Sequence, residues 1–243
     1  MNELGQTRSM AHRNHALLTP DTFVRAPLPG MIRATAIVHA APAMGASFTQ
    51  YTAEFEPGGN LGPCAAQRFL YVLEGELMVE DGRRKHRLPA GDYAYLPDGN
   101  GAVTAPAASR AAVIEKVYQP LHGNRLPKLL TGAENDVEGT PLLDDDWITV
   151  RKLIPEDPSF DFAVNTMTYV PGATLPIVEI HVMEHGLLML EGGGIYRLDD
   201  QWYAATAGDF IWMGPYCPQW FGALGKKPAK YLIYKDWNRH PLP

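Results

Sequence analysis

The chain has few cysteines and no long apolar segment. Cys64 and Cys217 are the only two among 243 residues, and their spacing does not fit a thiolate metal site. Free thiols in a reducing compartment are therefore the simplest account. No apolar run is long enough to cross a bilayer, and the polar start of the chain has no signal-peptide core. These absences predict a soluble, cytoplasmic protein without a membrane partner.

The chain also has no strong excess of charge of one sign. The formal net charge is −6 and is spread along the chain, which argues against general nucleic-acid binding. No Gly-x-Ser-x-Gly motif is present, so a serine hydrolase has no support. The composition leaves a globular protein whose expected partner is a small molecule.

Glycine and proline are abundant, with 23 and 21 copies, while signals for helix are sparse. Such a composition indicates many short strands joined by turns. Residues 69–73 and 187–190 are apolar runs typical of buried strands, and residues 93–95 and 210–212 are rich in aromatic β-formers. The chain is therefore predicted to be all-β.

Two motifs recur at one fixed offset. Leu73-Glu74-Gly75 and Leu190-Glu191-Gly192 are 117 positions apart, and Gly91-Asp92 and Gly208-Asp209 are separated by the same distance. An offset shared by two separate motifs indicates two copies of one structural unit. The pattern predicts two tandem jelly-roll β-barrels of about eight strands each. The N-terminal barrel with its N-terminal arm is assigned to residues 1–125, and the C-terminal barrel to residues 126–243.

A carboxylate, two imidazoles and an amide occur close together in the second copy. Glu179 and His181 are two residues apart, so both side chains leave the same face of an extended strand, and His185 keeps the even spacing. With Gln219 further on, every candidate donor is oxygen or nitrogen and none is a thiolate. Such a set favours manganese or iron over copper, and zinc is also compatible. The alternative is that two surface histidines lie near a glutamate by chance.

The order of motifs in each copy resembles the cupin superfamily, and the duplication resembles a bicupin. This order is Pro-Gly, then the ligand pair, then Leu-Glu-Gly, then Ala-Gly-Asp. The resemblance implies four metal-ligand positions in the second copy, at Glu179, His181, His185 and Gln219. The same offset places residues without a matching donor set in the first copy, namely Gly62, Cys64, Arg68 and Ala102. The N-terminal barrel is therefore predicted to be metal-free.

The substituted ligand set narrows the resemblance. Within the superfamily, the chain resembles the (S)-ureidoglycine aminohydrolase family in three places. These are Glu-x-His-x-x-x-His with a later glutamine, residues 194–199 and residues 231–236. Members of that family look like manganese-dependent bicupins of allantoin and purine breakdown, which convert (S)-ureidoglycine to (S)-ureidoglycolate and ammonia. The resemblance implies one manganese ion per chain, bound by the four residues in the C-terminal barrel. It further implies catalytic roles for Glu179 and Lys235, and substrate contacts at Glu179, Tyr196, Gln219, Tyr231 and Lys235.

Several roles stay open at the level of sequence. Lys235 either exchanges a proton near neutral pH or stays charged and anchors the substrate carboxylate, although a lysine near a C-terminus is usually a solvated surface residue. For Tyr196 and Tyr231, packing of a barrel wall is the usual role. Two rival functions remain, an iron-dependent cupin dioxygenase and a non-catalytic cupin that binds a small ligand. A homo-oligomer is expected, because edge strands benefit from being covered.

Overall fold

The structure is a computed structural model that describes residues 5–82, 84–99 and 101–241. The described helices are short 3-10 turns at Pro20–Thr22, Pro42–Met44 and Glu134–Asp136, and none of them could cross a membrane. The described strands of the first half are β1 (Met10–Ala11), β2 (His15–Leu18), β3 (Ile32–Ala40), β4 (Thr49–Leu61), β5 (Gln67–Glu74), β6 (Glu76–Asp81), β7 (Arg84–Pro89), β8 (Asp92–Leu96), β9 (Ala102–Ala105) and β10 (Ser109–Lys116).

The second half has a similar series. Its described strands are β11 (Leu130–Ala133), β12 (Thr140–Leu142), β13 (Asp145–Lys152), β14 (Phe162–Tyr169), β15 (His185–Glu191), β16 (Gly193–Leu198), β17 (Gln201–Thr206), β18 (Phe210–Met213), β19 (Gln219–Ala223) and β20 (Ala229–Asp236). The predicted all-β class is confirmed. The apolar and aromatic runs singled out in the sequence lie within β5, β8, β15 and β18.

One sheet contains the first copy of the repeat. Its strand order is β11-β8-β5-β10-β4-β9-β6-β7, and β3 pairs with β4 beside this path. Strand β5 is central, and the consecutive residues Phe69, Leu70 and Tyr71 on it are all buried. A strand that is covered on both faces needs apolar side chains on both, which explains the uninterrupted run in the sequence.

The second copy forms a larger sheet with the order β1-β2-β18-β15-β20-β14-β13-β12 and a small sheet with the order β17-β16-β19. Residues directly opposite each other in neighbouring strands share a face of the sheet. Val150, Met167, Tyr231 and Met189 form such a row across β13, β14, β20 and β15, and all four belong to one buried core. This row identifies the inner face of the C-terminal barrel.

The glycines of the two Leu-Glu-Gly motifs have the same structural role. Gly75 and Gly192 have φ values of +75° and +64°, in the left-handed region that favours glycine. A Cβ atom at Gly75 would lie 2.7 Å from the carbonyl oxygen of Ala108, and one at Gly192 would lie 2.4 Å from that of Pro228. Both turns therefore require glycine, which explains why the motif ends in glycine in both copies of the repeat.

The two halves of the chain exchange edge strands. Strand β2 of the N-terminal arm pairs with β18 of the second half, and β11 pairs with β8 of the first half. The arm is also fixed by Arg8, whose guanidinium donates two hydrogen bonds to the buried Asp209 carboxylate at 2.7 and 2.9 Å. The boundary at residue 125 stays a prediction, and strands on either side of it extend the sheet of the other half.

A core of aromatic residues lies between the two barrels. It includes Phe48 and Tyr71 from the first half and Phe162 and Tyr234 from the second. The rings of Phe48 and Tyr234 are stacked with their centroids 4.0 Å apart. Because buried aromatic rings remove a large apolar area from water, this core joins the two halves firmly.

Candidate active site

The four candidate metal ligands come together at one end of the C-terminal barrel. His185 is the first residue of β15, and Gln219 is the first residue of β19. Glu179 forms an isolated bridge with Gln219, in which the two N···O distances are 2.9 and 3.0 Å. The expectation of an extended strand through Glu179 and His181 is wrong, because the segment between β14 and β15 meets β19 only at isolated bridges, one at Thr174 and one at Glu179.

The side chains converge on the Nε2 atom of His181. Nε2 of His185 lies 3.3 Å from it, Nε2 of Gln219 lies 2.9 Å from it, and Oε2 of Glu179 lies 3.9 Å from it. Two ligands that each lie about 2.1 Å from a first-row ion are roughly 3 Å apart. The spacing of the two imidazoles therefore matches that of two ligands of one ion.

Both imidazoles direct a lone pair toward the same point. Nδ1 of His181 faces the carbonyl oxygen of Met183 at 3.2 Å, and Nδ1 of His185 faces that of Tyr234 at 3.1 Å. Since a carbonyl only accepts, the neutral form of each ring that fits this contact carries its hydrogen on Nδ1 and leaves Nε2 as an acceptor. Two bare nitrogens at 3.3 Å repel each other, and a cation between them would remove that repulsion. A carbonyl on the far ring nitrogen is also the usual support of a metal-binding histidine.

An amide and a carboxylate complete the donor set. The oxygen and nitrogen of the Gln219 amide have almost the same shape, so either can face His181, and the oxygen would serve as a neutral ligand. Among the described residues, no group of three or more His, Cys, Asp or Glu side chains is placed to hold a metal ion by itself. The Glu179 carboxylate is the most distant candidate from His181, at 3.9 Å, and the fourth donor is an amide. The types of donor nevertheless fit a divalent ion such as manganese or iron.

His185 is buried, and its surroundings hold it neutral and fixed. Burial lowers its pKa to about 3, and His181 contributes in the same direction. A neutral imidazole is the form that binds a metal. The preceding residue, Glu184, accepts hydrogen bonds from the backbone N–H of Ser47 at 2.7 Å, from its hydroxyl, and from the Trp212 indole at 3.1 Å. A loop of the first half therefore fixes the start of the strand that presents His185.

A cavity of about 330 Å³ is lined by the four candidate ligands and by Lys235. Lys235 is directly opposite His185 on the neighbouring strand β20, and its Nζ lies 4.1 Å from the centre of the Trp237 ring. Burial lowers the pKa of Lys235, whereas the negative charge of Glu156 acts to raise it. Lys235 is thus half-buried at the cavity and is not a solvated surface residue.

Tyr196 and Tyr231 form part of the inner wall of the same cavity. Both are buried, and burial raises the pKa of each phenol well above its usual value. The hydroxyl of Tyr231 lies 2.7 Å from that of Tyr169, and the Tyr196 ring packs 5.3 Å from the Phe221 ring. The two tyrosines therefore pack the barrel wall beside the cavity, and burial keeps their phenols protonated.

The first barrel has an arginine where the second has a histidine that is a candidate ligand. Arg68 lies opposite Glu115 on the neighbouring strand, just as His185 lies opposite Lys235. The buried guanidinium forms an ion pair with Glu115 at 2.6 Å and donates to the carbonyl oxygen of Gly62 at 2.9 Å. A positive charge already occupies this place, which supports the prediction that the N-terminal barrel binds no metal.

The cavity also contains polar residues that no sequence motif indicated. Lys152 and Glu156 lie at its rim and form an ion pair at 2.7 Å. Asn165 lies deeper, on β14, where it shares the inner face with Ala163 and Met167. A single polar residue among the inward positions of a buried strand is the signal by which Asn165 could have been found.

Two family models match the chain, one in each half. The model described as "EutQ-like cupin domain" matches residues 43–118, and the model described as "Cupin domain" matches residues 165–234. Together with the barrel sheets, these matches confirm the predicted fold of two tandem cupin domains.

Three known proteins are similar over most of the chain. The "Probable (S)-ureidoglycine aminohydrolase" of Oryza sativa subsp. japonica is 40% identical, over 98% of this chain and 78% of its own length. The (S)-ureidoglycine aminohydrolase of Arabidopsis thaliana is 38% identical, over 98% of this chain and 80% of its own length. The crystal structure of protein Ylba from E. coli aligns with a TM-score of 0.84 and 29% identity over 96% of both chains. The chain therefore belongs to the (S)-ureidoglycine aminohydrolase family and is a bicupin.

Proposed function

We propose that this protein hydrolyses (S)-ureidoglycine to (S)-ureidoglycolate and ammonia, as a step of allantoin and purine breakdown. One manganese ion per chain would be bound by Glu179, His181, His185 and Gln219. The observation that carries the proposal is the convergence of these four side chains beside a cavity that Lys235 also lines. Similarity over nearly the full chain to proteins named for this reaction supports it.

The donor set suits an ion that binds an anionic substrate. A divalent ion at this place would supply Lewis acidity and a fixed point for holding the small polar substrate. One carboxylate and three neutral donors leave a formal charge of about +1, which attracts a carboxylate. Glu179 would ligate through one oxygen, and its other oxygen would accept a hydrogen bond from the substrate amine.

Lys235 and the two tyrosines would hold the substrate in one orientation. The Lys235 ammonium counters the substrate carboxylate, and its lowered pKa brings proton transfer to the leaving amine closer to neutral pH. Tyr196 and Tyr231 stay protonated because burial raises their pKa values, so they donate hydrogen bonds to substrate oxygens. Loss of ammonia leaves a carbon–nitrogen double bond to the ureido nitrogen, and addition of water then gives the alcohol.

The test is ammonia release from freshly generated ureidoglycine by metal-free protein and by protein loaded with manganese. We expect turnover only with the ion. His181→Ala should lose the metal, measured by elemental analysis, together with turnover, whereas His86→Ala in the first barrel should retain both. Full activity of a metal-free His181→Ala protein would reject the proposal.

The same experiment separates the rival functions. Oxygen uptake after iron loading, without ammonia release, would support a cupin dioxygenase. Binding of ureidoglycolate without turnover of ureidoglycine would support a protein that only binds a small ligand.

Assembly and location complete the proposal. Ile177, Ile180 and Tyr216 are exposed near the ligand-bearing segment, and a homo-oligomer would cover such apolar side chains. Free thiols at Cys64 and Cys217 suit a reducing cytoplasm. Light scattering of the purified protein and fractionation of the source cells test these two points.

A further inference from the structure

Asn165 is a buried polar residue on the inner face of the C-terminal barrel. Its side chain lines the cavity, and the residue is 6% exposed. Two of its neighbours on the same face are apolar, with Met167 two positions along β14 and Ile233 directly opposite on β20. Among the described residues, none forms a hydrogen bond with the Asn165 carboxamide. The group therefore faces the cavity with both its donor and its acceptor free.

The carboxamide atoms of Asn165 are not among the fully enclosed polar atoms that lack a partner, so they are open to the cavity. A ligand that displaces water from the cavity must supply a hydrogen bond to this amide, because burial of an amide without one is unfavourable. The nearby charged residues do not satisfy it, because Lys152 and Glu156 are paired with each other at the rim. The chemistry of the missing partner is set by the carboxamide, which offers one carbonyl oxygen and two N–H groups.

The position of Asn165 relative to the other cavity residues defines a separate subsite. Lys235 on β20 lies opposite Ala163, which is two positions before Asn165 on β14. The side chains of Lys235 and Asn165 therefore leave the same face of the sheet in adjacent rows. On its other side Asn165 lies opposite Lys152 at the rim. A ligand that reaches from the His185 end past Lys235 toward the rim therefore meets Asn165 with the portion farthest from the four metal-ligand candidates.

We propose that Asn165 binds the ureido group of the substrate and thereby determines specificity for it. This inference rests on the function proposed above. The carboxamide donates to the ureido carbonyl and accepts from the ureido N–H, which gives two parallel hydrogen bonds. Lys235 binds the carboxylate of the same molecule, so the two ends of the substrate are held at separate points. A site built in this way rejects analogues that lack the hydrogen-bonding group, because its own amide is then left unpaired.

The experiment uses manganese-loaded protein and two unreactive ligands that differ at one group. N-carbamoylglycine keeps the ureido group, whereas N-acetylglycine has a methyl group in place of the terminal NH₂. We expect the wild-type protein to bind the first about tenfold more tightly than the second in inhibition of ammonia release. Asn165→Leu should lose this preference and raise the KM for ureidoglycine by about tenfold or more, with a smaller change in kcat.

Two further variants make the result decisive. Asn165→Asp has nearly the same size and still accepts from the terminal NH₂ but cannot donate to the carbonyl, so it should raise KM while keeping the preference, even if Asn165→Leu does not fold. Thr168→Val, on the same strand and outside the cavity, should leave KM and the preference unchanged. If the wild-type protein releases no ammonia, the proposed function is wrong. If it is active but the variants at Asn165 keep its KM and its preference, the assignment of Asn165 is wrong.

Discussion

The imidazole of His39 offers a quantitative test of the packing between the two barrels. His39 is 2% exposed, and its ring lies 4.9 Å from the rings of Phe23 and Phe210. Nε2 meets the Thr52 hydroxyl at 2.9 Å, and Nδ1 has no partner among the described residues. Burial lowers the pKa of His39 from 6.5 to about 3. The neutral ring therefore fits between the barrels, and the charged ring does not.

The sign of the pH effect follows from these two pKa values. Between pH 6.5 and pH 3 the unfolded chain binds a proton at His39 and the folded protein does not. The free energy of unfolding is therefore unaffected well above pH 6.5 and falls as the pH drops below it, by about 1.4 kcal/mol per pH unit. At about pH 4.5 the loss amounts to roughly 2.7 kcal/mol.

Replacement of His39 by glutamine isolates this contribution, because glutamine still reaches a hydroxyl but does not titrate. Urea unfolding of metal-free wild-type and His39→Gln protein would be measured at about pH 7 and about pH 4.5. We expect acidification to shift the stability difference by about 2.5 kcal/mol in favour of the variant. All other titrating groups are common to both proteins. If the two proteins lose stability in parallel, the reasoning is refuted.

Three shorter predictions concern other contacts. Arg8→Ala leaves the buried Asp209 carboxylate without its guanidinium partner, and we expect the free energy of unfolding, measured by thermal denaturation, to fall by about 1–3 kcal/mol. The fall is smaller than for a fully buried ion pair because Arg8 is half-exposed. Arg13→Ala, on the same arm but exposed, should change little. Gly186→Ala would place a Cβ 2.2 Å from a buried glutamine of the first half, so retention of metal after dialysis should fall. Burial raises the pKa of Cys217 to about 11, and this thiol should react with a thiol reagent at neutral pH only after denaturation.

The duplicated architecture was predictable because it depends on short-range backbone requirements. Gly75 and Gly192 adopt positive φ in matching turns, and a requirement of that kind leaves a residue-level trace in both copies. The ligand candidates Glu179 and His181 were also indicated by local spacing. The backbone pairing of Glu179 was not indicated by the sequence, because its bridge to Gln219 joins segments that are 40 positions apart in the chain.

The exchange of edge strands and the role of Asn165 could not be predicted in the same way. The pairing of β2 with β18 and of β11 with β8 depends on tertiary packing between distant segments. Asn165 carries no motif, and its importance comes from its apolar neighbours Met167 and Ile233, which β14 and β20 bring together. Sequence spacing indicates which residues share a face, but not which of them is left without a partner.

The ion pair of Arg68 with Glu115 makes the two barrels differ in how they depend on their surroundings. In the N-terminal barrel the positive charge at this position belongs to the Arg68 side chain, so it is present in every copy of the protein. Under the proposed function, the C-terminal barrel would take its positive charge from the medium as a manganese ion. A shortage of that ion would then affect the C-terminal barrel alone, while Ser47 of the first half continues to hold Glu184 beside the candidate site.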